Sequence, residues 1–127
     1  MRALKPQDDS VEVTSYLDAQ AAGGFFLAPV AHFQTDLFLR ELSGAAVAAI
    51  TTAMNNAPAT CKLIIVPLRG DVSRVNLSDT AYTLRQPGYE IDIAGVWSSS
   101  AERANVVRWV QATRDSLHPF AHGVYVN

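Results

Sequence analysis

The sequence predicts an α+β domain in which helices pack on one face of an antiparallel β-sheet. Segments rich in branched and aromatic residues alternate along the chain with segments of helical periodicity. The connection between the two clearest strands contains no strong helix, so those strands are expected to be antiparallel, because a parallel pair needs a long crossover. At 127 residues the chain is expected to form a single domain, residues 1–127.

The clearest strand covers residues 89–97, where side chains alternate between two characters. Tyr89, Ile91, Ile93, Gly95 and Trp97 fall on one face of this strand, and Glu90, Asp92, Ala94 and Val96 fall on the other. Residues 61–68 are apolar and rich in branched side chains, which is typical of a strand. Further strands are predicted at 25–30 and 123–126, with short extended pieces at 72–75 and 82–84, and residues 36–41 are ambiguous.

Three helices are predicted from capping residues and periodicity. Ser43 is a good N-cap for residues 44–55, and Ser99 with Glu102 forms a capping box before residues 101–117. A first helix over 11–22 would be capped by Ser10 and ended by two glycines, and residues 69–71 are expected to turn.

The charge balance argues against two classes of partner. Ten basic and twelve acidic residues give a net charge of −2, and no block of like charge occurs. A nucleic-acid binder working through a basic patch and a polybasic membrane anchor are therefore disfavoured. The polar first ten residues lack the apolar run of a signal peptide, and no apolar run is long enough to span a membrane, so we expect a cytoplasmic location.

Metal and thiol chemistry are not expected. Cys61 is the single cysteine, which leaves no internal disulfide and no multi-cysteine metal site, and its apolar neighbourhood favours a buried, unreactive thiol. His118 and His122 are four residues apart, but Pro119 lies between them and prevents a shared helix face.

Glu90 and Asp92 are the candidates for chemistry. Being two residues apart on a strand, they leave from the same face. The simpler interpretation is a solvated polar face, as on many half-buried antiparallel strands. The sharper one is a paired-carboxylate site, in which mutual repulsion raises one pKa toward neutrality and makes a general base.

The chain also resembles the C-terminal part of berberine bridge enzyme-like (BBE-like) FAD-linked oxidases of the vanillyl-alcohol oxidase superfamily. Residues 1–58 resemble the preceding family segment more loosely. The matching motifs, in family order and at similar spacing, are VPLRGDVSRV (66–75), TAYTLR (80–85), YEIDIAGVW (89–97), WV (109–110), LHPF (117–120) and GVYVN (123–127).

The resemblance implies a substrate-binding role without the family's FAD domain. FAD is then expected on another chain and none on this chain alone. The resemblance implies a catalytic base at Glu90, a pocket neighbour at Asp92, a motif tyrosine at Tyr125, and substrate contacts from Glu90, Asp92, Ala94 and Arg85.

Three functions stay open. The chain is the substrate-binding part of an FAD-linked oxidase that acts on a small organic substrate with an FAD-bearing partner. Alternatively, it is a stand-alone homodimer that binds small molecules or catalyses a cofactor-free cyclisation or isomerisation through Glu90. In the third interpretation it is a non-catalytic interaction module.

Overall fold

A computed structural model describes residues 13–22, 31–76, 78–82 and 84–124. Its elements, in chain order, are α1 (Tyr16–Ala22), β1 (Ala31–Leu39), α2 (Gly44–Asn55), β2 (Cys61–Leu68), a 3-10 helix (Gly70–Arg74), β3 (Gly88–Trp97), α3 (Ser100–Leu117), a second 3-10 helix (His118–Phe120) and β4 (Ala121–Gly123). The arrangement is an α+β fold, as the sequence predicted.

The four strands form one sheet in the order β2-β3-β1-β4, and every neighbouring pair is antiparallel. The predicted antiparallel relation of the 61–68 and 89–97 strands is therefore confirmed. β1 and β3 lie at the centre and pair along their whole shared length, from Ala31 opposite Trp97 to Leu39 opposite Tyr89.

The hydrophobic core lies between one face of this sheet and the helices α2 and α3. The sheet contributes alternate residues, which include Leu37, Ile91 and Ile93, and all three are fully buried. α3 meets them with a stripe of residues at helical spacing, which is Val106, Val110 and Leu117. We call this the helix face of the sheet.

Capping residues set the starts of both long helices. The hydroxyl of Ser43 accepts the backbone N–H of Ala46 at 3.2 Å, and Ser99 with Glu102 forms the predicted capping box. α3 is tied to α2 by the Trp109 indole, whose Nε1–H donates to the carbonyl of Ala53 at 3.0 Å. The predictions for these two helices are confirmed to within one residue.

The first third of the chain differs from the prediction. The helix begins at Tyr16 rather than at residue 11, because the Ser15 hydroxyl accepts the backbone N–H of Asp18 and so acts as the cap. The predicted Ser10 cap and the predicted strand 25–30 lie outside the described residues. β1 occupies 31–39, where no strand was predicted, and it includes most of the segment left ambiguous.

One shorter prediction was wrong over most of its length, and a second is not confirmed as a strand. Residues 72–74 are not extended, because a 3-10 helix covers Gly70–Arg74, and within the predicted piece 72–75 only Val75 has extended dihedral angles. Gly70 enters the 3-10 helix with a φ of 73° that favours glycine. No strand covers residues 82 and 84, the described part of the piece predicted at 82–84. The last strand begins two residues earlier than expected, at Ala121, and residues 125–127 lie outside the description.

Candidate functional site

The second face of the sheet, turned away from α2 and α3, carries the candidate residues. Residues directly opposite each other on antiparallel strands share a face. The strand register therefore places three rows there, each running from β2 through β3 to β1. The rows are Val66–Glu90–Phe38, Ile64–Asp92–Asp36 and Lys62–Ala94–Gln34. We call this surface the carboxylate face.

Three carboxylates occupy two adjacent rows of this face. Asp36 of β1 lies directly opposite Asp92 of β3. Glu90 is also on β3, two residues before Asp92. Cβ atoms of opposite residues are about 5 Å apart, and those of diagonal neighbours about 7 Å, so all three charges interact. The sequence predicted that Glu90 and Asp92 share a face, and the structure adds Asp36 to them.

The environment of Glu90 favours its protonated form. Its pKa is raised first by partial burial, which removes water from the charged group, and then by the nearby charges of Asp36 and Asp92. All of these influences act in the same direction. Glu90 thus differs from Asp92, because no group among the described residues is identified as lowering its pKa.

Asp92 experiences opposing influences. Burial raises its pKa most strongly, a hydrogen bond from the Gln34 side chain lowers it, the charge of Asp36 raises it and that of Lys62 lowers it, with a raised pKa as the balance. Its Oδ1 is buried and accepts no hydrogen bond within the described part of the chain. A buried carboxylate oxygen without a donor is an unsatisfied acceptor. A ligand's hydrogen-bond donor would satisfy it only if the side chains that cover it moved.

Sequence reasoning missed Asp36 because it left residues 36–41 ambiguous and predicted no strand over 31–39, where β1 lies. The polar residues His32, Gln34 and Asp36 alternate with less polar Phe33, Thr35 and Leu37, which is the period of a half-buried strand. That alternation was available in the sequence. The apolar run at 25–30, just before this alternation, gives the stronger strand signal.

Ala94 lies in the third row of the carboxylate face, between Lys62 and Gln34. Its side chain is fully buried, although α2 and α3 pack on the other face of the sheet. A ligand would reach Ala94 only if covering side chains moved. Its predicted substrate contact therefore stays a prediction.

Arg85 holds together the segment between β2 and β3. Its guanidinium donates to the carbonyl of Val72 at 3.4 Å and to the hydroxyl of Thr80, and it lies 5.3 Å from the centre of the Tyr82 ring. Its Nε is buried, with no acceptor among the residues that the structure describes. These contacts give Arg85 a structural role, and its predicted contact with substrate remains untested.

The segment that carries Arg85 borders the carboxylate face. Gly123 of β4 pairs with Phe38, so a side chain added at Gly123 would point to this face. There it would meet Leu84, whose Cδ2 is 2.7 Å from the position of such a Cβ. The residue next to Arg85 thus packs beside Phe38, at the β4 edge of the site. Tyr125 lies outside the described residues.

The structure bears on the expectations for the Cys61 thiol and for a metal site. Cys61 is buried, and its burial raises the pKa of the thiol, which disfavours the reactive thiolate. Among the described residues, no group of three or more His, Cys, Asp or Glu side chains is arranged to hold a metal ion. That statement includes Asp36, Glu90 and Asp92, which lie in two adjacent rows of the sheet.

The carboxylate face suits only one part of a flavin cofactor. Its unsatisfied acceptor at Asp92 and its mixture of carboxyl, amide and apolar groups fit a flat ring or a small substrate with hydrogen-bond donors. Three carboxylates would repel a diphosphate. The residues therefore fit the ring end of FAD or its substrate, and the diphosphate would have to be held elsewhere.

Comparison with known proteins supports the fold. Physcomitrella patens BBE-like 1 matches with a TM-score of 0.67 at 17% identity, over 79% of this chain and 23% of that protein. A variant of the same protein matches at 18% identity and the same TM-score, over 73% of this chain and 21% of that one. No family model matches the sequence, and no curated protein matches it significantly.

The likeness to these structures is one of fold. The chain spans about a fifth of the length of BBE-like 1, and the low identity does not carry that protein's activity with it. The agreement with the motif-based resemblance is still informative, because shape and sequence order point to the same kind of fold. Within the described residues, no helix is long and apolar enough to cross a membrane.

Proposed function

We propose that this chain is the substrate-binding part of an FAD-dependent oxidoreductase, and that a separate polypeptide segment or chain in the cytoplasm holds the FAD. The observation that carries the proposal is the set of three carboxylates on one face of a sheet whose fold resembles BBE-like 1. The motif order along residues 66–127 supports the same assignment. The substrate is a small organic molecule with a donor for the acidic face.

Glu90 is the base in this proposal. A bound FAD would supply the hydride acceptor for the oxidation, and the substrate would also have to lose a proton. Glu90 takes that proton at its carboxylate, because burial and two like charges raise its pKa and so strengthen it as a base. Asp36 contributes to that raised pKa. Asp92 accepts a hydrogen bond from the substrate at its unsatisfied Oδ1 once the side chains that bury this oxygen have moved.

The test uses co-expression with a flavin-bearing partner. The full chain, carrying an affinity tag, is expressed with the reading frames that neighbour its gene, and the purified complex is assayed for bound flavin by absorbance. Substrate candidates are then screened anaerobically by loss of the oxidised-flavin band. The proposal would be contradicted if none of the neighbouring reading frames gave a complex that contains flavin.

A matched pair of variants tests the role of Glu90. Glu90→Gln is expected to slow flavin reduction by about 10²–10⁴-fold, the usual contribution of a general base, with flavin content unchanged. Glu41→Gln changes an exposed carboxyl after β1 and should leave the rate unaltered. Equal rates for the two variants would remove Glu90 from the reaction.

A second function is favoured by one observation. All three carboxylates come from a single chain, so a base of raised pKa exists here without any partner. A stand-alone protein could use Glu90 in a cofactor-free cyclisation or isomerisation, or bind a small molecule without reacting. Hydrogen–deuterium exchange of a bound ligand's acidic C–H in D₂O, lost in Glu90→Gln, would identify the catalytic version.

A further inference from the structure

β2 is the long edge of the sheet. Among the described residues it pairs on one side only, with β3, whereas the other edge strand, β4, has three residues. Its sequence, CKLIIVPL, carries one charge, and Ile65 and Val66 expose 39% and 40% of their surface. A long apolar edge presents unpaired backbone groups and readily accepts another strand.

The strand register shows which backbone groups point outward. The N–H of Val96 donates to the carbonyl of Thr60 at 3.1 Å, so Thr60 and Val96 form a hydrogen-bonded pair. In an antiparallel ladder such pairs recur at every second residue. Residues 62, 64 and 66 therefore bond to β3, and the backbone groups of Cys61, Leu63, Ile65 and Pro67 point away from the sheet.

Only two of these four residues have an N–H to offer. The N–H of Cys61 donates to the carbonyl of Pro58 at 2.8 Å, and Pro67 has no N–H. The outer edge thus has donors at Leu63 and Ile65, which lie on either side of Ile64. This pattern is symmetric about Ile64, and an antiparallel pair of identical strands requires that symmetry.

We propose that β2 pairs with β2 of a second copy of this chain, with the twofold axis at Ile64. Leu63 of one copy then lies opposite Ile65 of the other, and each pair exchanges two backbone hydrogen bonds, which gives four in total. Cys61 and Pro67 have no N–H available to the partner strand. They face each other at the two ends of the pairing, where water can reach their carbonyls. This inference does not depend on the proposed function.

Side-chain pairs agree with this register. On the carboxylate face Ile64 meets its own copy and Lys62 meets Val66, so no like charges lie opposite each other. The four described strands of each copy then join into one continuous antiparallel sheet. Asp92 pairs with Ile64, so the two carboxylate clusters lie three strand spacings apart, about 14 Å, on the same surface.

Cross-linking at the axis tests the register. In this pairing Ile64 and its copy form a non-hydrogen-bonded pair with Cα atoms about 4.5 Å apart, within the range of a disulfide. Cys61→Ser/Ile64→Cys is therefore expected to form a disulfide dimer with oxidised glutathione, which takes up the two electrons and becomes two glutathione thiols.

The matched control moves the thiol by two residues on the same face. In Cys61→Ser/Val66→Cys the two thiols are four residues out of register, about 13 Å apart along the strands, which is too far for a disulfide. Cross-linking at position 64 should be at least tenfold faster than at position 66. Equal rates, or a faster reaction at position 66, would overturn the register.

The wild-type chain tests the association itself. Light scattering after size exclusion, over a concentration series, should show a mass rising from 13.7 kDa toward twice that value. Ile65→Pro removes an outward N–H and no bond to β3, so it should raise the dissociation constant about tenfold or more. If the proline variant does not fold, Ile65→Lys is used in its place, and the same rise in the dissociation constant is expected. A wild-type chain that stays monomeric throughout would overturn the proposal.

Discussion

The two faces of the sheet use neighbouring residues of the same strands for opposite purposes. On the helix face, Leu37, Ile91 and Ile93 are completely buried against α2 and α3. One residue away, Asp36, Glu90 and Asp92 lie together on the carboxylate face. Because side chains alternate along a strand, the helix face can supply stability while the carboxylate face carries groups that oppose it.

The difference is visible in the direction of the interactions on each face. Every contact in the helix-face core removes apolar surface from water, which favours folding. On the carboxylate face, burial and like charges raise the pKa values of Glu90 and Asp92, so their ionisation opposes folding. Unfavourable interactions of this kind persist where function requires them.

The largest expected effect comes from truncating matched isoleucines on the two faces. Ile93→Ala leaves a cavity in the fully buried core and should lower the free energy of unfolding by about 2–5 kcal/mol. Ile64→Ala, on the half-buried carboxylate face, should cost about 1 kcal/mol. Urea denaturation of both variants measures the difference, and equal losses would contradict the division between the faces.

Gly95 tests how closely α3 approaches the helix face. A Cβ at this position would lie 2.5 Å from Val106 Cγ1 and 2.7 Å from Cys61 Sγ, so Gly95→Ala should destabilise the protein by about 1–3 kcal/mol. Gly44→Ala is the control, because nothing lies within 4 Å of its added Cβ at the start of α2. Thermal denaturation should show a lower midpoint for the first variant and an unchanged or higher midpoint for the second.

Glu90→Gln should stabilise the protein near neutral pH. The folded-state pKa of Glu90 lies above its unfolded value, so the folded state binds more protons between the two, and stability falls as pH rises through that window. At pH values above this window, removing the charge should raise the free energy of unfolding by a few tenths to about 1 kcal/mol. Below about pH 3, where the carboxyl is protonated in both states, the gain should vanish.

Glu102 provides the control of opposite sign. The backbone N–H groups of Ser98 and Ser99 donate to its carboxylate and lower its pKa, so its contribution to stability is present above the unfolded pKa. Glu102→Gln should lose stability at neutral pH, and the difference should shrink in acid. If both glutamine variants shift stability in the same direction, the assigned pKa directions are wrong.

The sequence was sufficient for features governed by local patterns. The capping residues Ser43 and Ser99 marked the two long helices, and alternation along residues 89–97 placed Glu90 and Asp92 on one face. Such features depend on residues within a few positions of one another. The α+β class followed from them with few further assumptions.

Asp36 could not be joined to the site from local pattern alone. It lies 56 positions before Asp92, and their contact depends on the register of β1 against β3, in which a slip by one residue would turn Asp36 to the other face. The structural role of Arg85 is hidden for the same reason, since its partner Val72 is 13 positions away. Long-range pairing is what the structure added.

One measurement tests the central claim, that Asp36, Glu90 and Asp92 form a single interacting cluster of carboxyl groups. Carbon-13 NMR titration of the side-chain carboxyls follows each group separately in the wild type and in Asp36→Asn. The pKa values of Glu90 and Asp92 should both lie above the ordinary range, and both should fall when Asp36 loses its charge. A Glu90 that titrates at its ordinary value and does not respond to Asp36→Asn would contradict it.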